Sequence, residues 1–169
     1  MKFHLVDRIE SLQPGRKITT VKALSLAEEY LADHFPAFPV LPGVMMVEAM
    51  VQSAAWLVRM QQDFSRSIIV LSAARNVRYA HFVAPGHTLR CEVEAIAIGE
   101  DSAKFKGTGF VEGKQAVSAR LELRCFNLAE RSAYLAKADA AIIAQLKALF
   151  QRIGGPEALA VGDSDGKKH

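Results

Sequence analysis

Strict alternation of apolar and polar residues runs through the second half of the chain. Between 87 and 95, Leu89, Cys91, Val93 and Ala95 oppose Thr88, Arg90, Glu92 and Glu94. Between 117 and 125, Val117, Ala119, Leu121, Leu123 and Cys125 oppose Ser118, Arg120, Glu122 and Arg124. Successive strand residues point to opposite faces, so both stretches predict strands with one buried side. The sequences "GED" at 99–101 and "EGK" at 112–114 read as hairpin turns. "IIVLSAARNVRY" (68–79) predicts a further strand, and "FHLVDRIESL" and "RKITTVKAL" two more around the turn "QPG" at 13–15. Strands following one another this closely predict an antiparallel sheet with an apolar face that something must cover.

A helical period replaces the alternation in three places. In "SLAEEYLAD", Ser25 with Glu28 three residues on forms a capping-box pattern for a short helix. From Gly43 to about Gln61 or Gln62 the chain is apolar nearly all round, as a helix enclosed by other elements should be. Tyr134, Leu135, Ala138, Ile142, Leu146, Leu149 and Ile153 make a third stripe, a helix over 129–153 that "GGP" at 154–156 ends. The order is strand, strand, central helix, then antiparallel strands wrapped around it, an α+β architecture. Residues 1–127 form the main unit, 128–155 carry the additional C-terminal helix, and 156–169 read as a flexible tail.

The central helix raises the question of chemistry. Between Val44 and Val58 the only charged residue is Glu48. A carboxylate in such a setting costs several kcal/mol unless it is paired, hydrogen-bonded or solvated at an edge. Gln52, at i+4, lies on the same face and can donate to it. Just upstream, His34 begins a loop in which Pro36, Pro39 and Pro42 each restrict the backbone. Imidazole titrates near neutral pH, which makes His34 a candidate base. Gly43 then opens a helix whose unpaired N–H groups can steady a developing oxyanion. A base, an acid and an oxyanion donor so close in sequence point to proton-transfer chemistry.

Bulk properties narrow the partners. The net charge is +3 with no basic run apart from the terminal lysine pair, which suits an acidic protein or an anionic ligand and argues against nucleic acid. The apolar run 44–58 is too short to span a membrane. Asp7 and Glu10 fall where a signal peptide needs apolar residues. Cys91 and Cys125 stand far apart with no partner motif and read as core thiols of a reducing compartment. The expected location is the cytoplasm.

"DHFPAFPVLPGVMMVEAMVQ" (33–52) resembles the active-site segment of the FabZ-type β-hydroxyacyl-acyl-carrier-protein dehydratases. "LVDRI", "PGRKI", "FVAPGHTL" and "KFKGTGFVEGK" follow that family's course in order, so the resemblance spans roughly residues 3–125. It implies a hot-dog fold, a curved antiparallel sheet around the central helix. It also implies a homodimer, with a trimer of dimers as a larger assembly, and active sites built across the dimer interface. His34 of one protomer and Glu48 of the other are then the catalytic pair, and the Gly43 amide polarises the thioester carbonyl. Val44, Met45, Gln52, Phe82 and Val83 contact the substrate. The implied reaction is reversible dehydration of a β-hydroxyacyl thioester to the trans-2-enoyl thioester. The acyl group arrives on an acidic acyl carrier protein or on coenzyme A, and neither metal nor organic cofactor is called for.

Two departures stand out: Ala37 replaces the family's glycine after "HFP", and His87 replaces the aspartate after the later "PG". A hot-dog thioesterase using Glu48 to activate water is the rival enzyme, against which the retained His34 speaks. A non-catalytic acyl-binding or scaffold subunit is the third reading, for which Ala37 and the added helix are the best arguments.

Overall fold

The computed structural model describes residues 3–165. Two strands, β1 (Arg8–Gln13) and β2 (Lys17–Ala23), precede the long helix α1 (Gly43–Gln61). Four more follow: β3 (Ile68–Tyr79), β4 (Thr88–Ile98), β5 (Ser102–Val111) and β6 (Lys114–Phe126). All neighbouring strands are antiparallel, in the order β1-β2-β4-β5-β6-β3. The sheet wraps one side of α1, giving the hot-dog arrangement.

Burial follows the alternation. Leu89, Cys91 and Val93 of β4, Ala103 and Phe105 of β5, and Val117, Ala119, Leu121, Leu123 and Cys125 of β6 all face α1 and are buried. The helix approaches β5 closely because residue 107 is glycine; a Cβ there would stand 2.8 Å from the sulfur of Met50. A buried polar contact also joins helix to sheet, Thr20 Oγ1 to Ser53 Oγ at 2.7 Å, with Ser53 donating in turn to the Ala49 carbonyl. Both thiols are free and buried, and burial pushes Cys91 up to about 12, opposed by a weaker effect of Thr20. Among the described residues no helix is long and apolar enough to cross a membrane.

Three expectations are corrected. The short helix after Ser25 is a single 3-10 turn, Glu29–Ala32. Glu28 does not close a capping box; its carboxylate accepts from Lys22 Nζ at 2.6 Å, satisfying the ammonium of a lysine only 6% exposed. Pairing that buried charge outweighs the cap.

The C-terminal stripe begins later than predicted, in α2 (Ala136–Arg152), after two separate 3-10 turns, and Tyr134 is 97% exposed. Asp139, on α2, explains the break: its carboxylate accepts from the Leu128 and Ala129 amides, each at 2.9 Å, and from the Ser67 hydroxyl. With those amides satisfied by a side chain, residues 128–135 fold back on α2 instead of extending it. Burial works to raise the Asp139 carboxyl, but Ser67 and the two amides prevail and hold it below the usual carboxylate range.

The expected flexible tail contains a third helix, α3 (Gly155–Asp165), while 166–169 lie outside the described residues. Its Ala158 is buried, and just before it the Ile153 carbonyl accepts from the Ile9 amide of β1 at 2.8 Å. Residues around Ile153 and α3 therefore cover the β1 edge of the sheet. The other edge, β3, pairs only with β6 among the described residues, and its outer side is open.

Candidate active site

The loop before α1 is tied to itself. Phe35 and Phe38 exchange backbone hydrogen bonds at 3.2 and 2.9 Å, and the Val40 amide donates to the His34 carbonyl. Leu41 donates to Val83 of the segment after β3, fastening the loop to the sheet. The His34–Phe35 peptide is cis. Ala37 does not have a positive φ, so alanine fits where the family segment carries glycine.

His34 is half-buried, its ring stacked on Phe35 with centroids 4.2 Å apart. Its Nδ1 lies 3.3 Å from the Val40 carbonyl oxygen. A carbonyl can only accept, so Nδ1 carries the proton and, in the neutral ring, Nε2 keeps its lone pair. The loop thus selects the tautomer.

His34 shares a cleft of about 580 Å³ with Gly43, Val44, Tyr79, His81 and Phe82. Two amides of the first turn of α1, those of Gly43 and Val44, precede the helical ladder, whose first acceptor is the Pro42 carbonyl, bonded by Met45 and Met46. They have no intrahelical acceptor, and the positive end of the helix dipole adds to their pull on negative charge. Residue 43 must be small: a Cβ would stand 2.8 Å from the Tyr79 ring. Tyr79, the last residue of β3, therefore forms a wall beside the helix start.

Glu48 lies elsewhere. Five residues on from Gly43 it is turned about 140° around α1, and it does not line the cleft. Its Oε1 accepts from Gln52 Nε2 at 3.0 Å. Gln52 also donates to the Phe3 carbonyl and accepts from the Leu5 amide, which fixes the pair against the segment before β1.

Of the residues singled out from sequence, then, one chain brings together His34, Gly43, Val44 and Phe82. Glu48 and Gln52 sit on another face. Met45 and Val83 do not line the cleft: Met45 is half-buried against the core and Val83 is fully buried in it. Phe35, Met46, Tyr79 and His81 line the cleft without having been anticipated. Tyr79 and His81 lie near Phe82 in sequence, a signal that could have found them. His87 is half-buried in its turn, with Nε2 3.3 Å from Glu112.

Comparison with known proteins agrees with the geometry. A FabA-like domain is matched over residues 1–120. The 3-hydroxyacyl-[acyl-carrier-protein] dehydratase FabZ of Clostridium kluyveri is 34% identical over 119 residues, 70% of this chain and 83% of the relative. The protein of the same name from Solibacter usitatus is 40% identical over 124 residues, 73% and 75% of the two chains. Among solved structures, the dehydratase heterocomplex ApeI:P from Xenorhabdus doucetiae superposes with a TM-score of 0.65 at 18% identity, covering 79% of this chain and 90% of that one. A match to the domain across most of the chain, with relatives at this identity over most of their own length, means that the chain belongs to the FabA-like family.

Proposed function

We propose that the protein is a 3-hydroxyacyl thioester dehydratase, a hydro-lyase that works as a homodimer. The observation that carries this reading is that the His34 imidazole and the free amides at the start of α1 share one apolar cleft. With the thioester oxygen held by the Gly43 amide, negative charge that develops on the carbonyl meets a donor already in place. His34 Nε2 removes the proton from C2, and the electron pair forms the C2–C3 double bond as the C3–O bond breaks. Glu48 of a second copy, directly or through a water, gives the departing hydroxyl its proton. Water and the trans-2-enoyl thioester are the products, and proton exchange with solvent returns both side chains to their starting states. The thioester itself acidifies C2.

The open β3 edge supports the dimer. β3 is twelve residues long and, bonded to β6 on one side only, leaves its outward-facing backbone groups to invite a second strand. A second copy is also what would supply the carboxylate that one chain turns away from its own cleft. The two buried free thiols suit the cytoplasm.

The donor of the acyl group is an acidic carrier protein in this reading. On the outer face of β5, β6 and β3 stand Lys104, Lys106, Arg120, Arg124, Arg75 and Arg78, all exposed. Glu122 is the one acidic residue of these strands, and it is held by Arg75 at 3.1 Å. Lys106, Arg120 and Arg75 lie directly opposite one another across three strands, an arrangement that costs folding energy and favours an anionic partner. Reversing Lys106 and Arg120 to glutamate is expected to raise KM about tenfold for a carrier-bound substrate and distinctly less for its coenzyme A counterpart. Equal effects on the two would remove the carrier protein from the reading.

The reaction itself is tested by offering the purified protein a 3-hydroxyacyl thioester and an enoyl thioester, following enoyl absorbance together with free thiol. Interconversion without thiol release is expected. Thiol release would make it a thioesterase, and acyl binding with neither signal a non-catalytic subunit.

A further inference from the structure

The outer face of the sheet carries a recess that the dehydration chemistry does not use. Asn76, Arg78, Lys106, Ser118 and Arg120 line it, around a volume of about 390 Å³. Its floor is one small residue among long ones. Ser118 of β6 pairs with Arg78 of β3 on one side and Thr108 of β5 on the other. Two residues along β6, and so on the same face, Arg120 pairs with Arg75 and Lys106. The backbone beneath sends its side chains the other way: Ala119 is buried, and a Cβ on Gly107 would meet Met50 inside. A bulge in β3 shapes the wall. Between the pairs Arg75–Arg120 and Arg78–Ser118, β3 has two residues where β6 has only Ala119, and Asn76 takes a φ of +53°. Val77 packs against the core, which leaves Asn76 and Arg78 on the outer side.

Among the described residues no carboxylate lines the recess, and Arg78, Lys106 and Arg120 have no ion-pair partner. Glu122 is taken by Arg75. Like charges held this close repel, and a single carboxylate would leave most of that repulsion in place. A phosphate monoester brings nearly two negative charges and three acceptor oxygens. Those suit two guanidinium forks, an ammonium, the Asn76 amide and the Ser118 hydroxyl, which accepts from Gln115 at 3.4 Å and keeps its own proton to donate. We infer that this recess binds the phosphate dianion of a small molecule. A second copy paired along the free edge of β3 extends the sheet sideways, whereas the recess opens at right angles to that plane. Carrier docking draws on the whole basic face, of which the recess is one point. The inference goes beyond the dehydratase reading and needs neither His34 nor Glu48.

Calorimetry on the native protein tests it, with inorganic phosphate and phenyl phosphate as probes and chloride holding the ionic strength constant. Both probes are expected to bind with a dissociation constant on the order of 1 mM, and acetate not measurably. Arg78→Gln and Arg120→Gln are each expected to weaken phosphate about tenfold. Ser118→Val fills the floor, keeps all three charges and suits a strand, and it should weaken binding as much. Lys137→Gln removes an exposed charge on α2 and should change nothing. Circular dichroism should find the fold intact in all four variants, since none of these side chains belongs to the core. Tighter binding of phenyl phosphate identifies an ester as the occupant, and equal or weaker binding identifies the phosphate group alone; either sustains the site. Absence of phosphate binding by the native protein overturns the inference. So does binding that the three recess variants all retain, or that Lys137→Gln weakens equally, because net charge would then account for it.

Discussion

A one-to-one mixture of His34→Ala and Glu48→Gln chains, unfolded and refolded together, is expected to recover roughly a quarter of the native turnover, although each variant alone is nearly inactive. Removing a positioned base or acid lowers turnover by about a hundredfold or more, so neither parent dimer contributes. In a mixed dimer one cleft has lost both groups, while the other combines an intact His34 with an intact Glu48. Half the dimers are mixed and each retains one of two sites. The structural basis is the position of Glu48, held by Gln52 against the segment before β1 and absent from the cleft that contains His34. If mass spectrometry finds mixed dimers yet activity stays at the level of the single variants, the two groups do not meet across an interface.

Phe150→Ala is expected to destabilise the fold by about 3–5 kcal/mol and lower the melting midpoint by roughly 10 °C. Phe150 is 5% exposed on α2, with its ring 5.9 Å from both Trp56 of α1 and Phe64 just beyond it. Truncation removes the ring that joins the C-terminal helices to the central one and leaves a cavity where neighbours cannot collapse freely. Gly43 and Gln61 mark opposite ends of α1, some 27 Å apart, so the cleft lies far from the lesion. Turnover per folded molecule at low temperature should therefore remain near native. A midpoint unchanged by the substitution would mean that α2 and α3 are loosely attached and add little to the fold. The same geometry gives the appendage a role, because it covers the β1 edge and leaves β3 as the edge open to pairing.

Legibility in the sequence tracked how local each feature's cause was. The alternation in β4 and β6 and the apolar length of α1 come from residues within a few positions of one another, and their burial follows the pattern. His34, the three prolines and Gly43 could be read because a stiff loop running straight into a helix start constrains itself, and the hydrogen bond from Gln52 to Glu48 needs only one helical turn. Other features depend on partners that belong to different elements of the fold. The capping pattern at Ser25 and Glu28 yields to Lys22, a buried ammonium on a neighbouring strand. The break before α2 comes from Asp139 reaching back to amides 10 and 11 residues upstream. Residues 155–165, with too little periodicity to announce a helix, take their place beside β1, whose Ile9 bonds to Ile153 just upstream and whose unpaired edge the segment covers.

The sequence alone thus determined the α+β order, the enclosed helix and the histidine-to-glycine segment, since these follow from short-range periodicity and backbone restriction. Only the tertiary structure decided that Tyr79 and His81 line the cleft while Met45 and Val83 do not, and that Glu48 faces away from His34. The reason is rotational: a few residues' advance along a helix swings a side chain to another face, and the coil of the sheet sets which distant residues meet it.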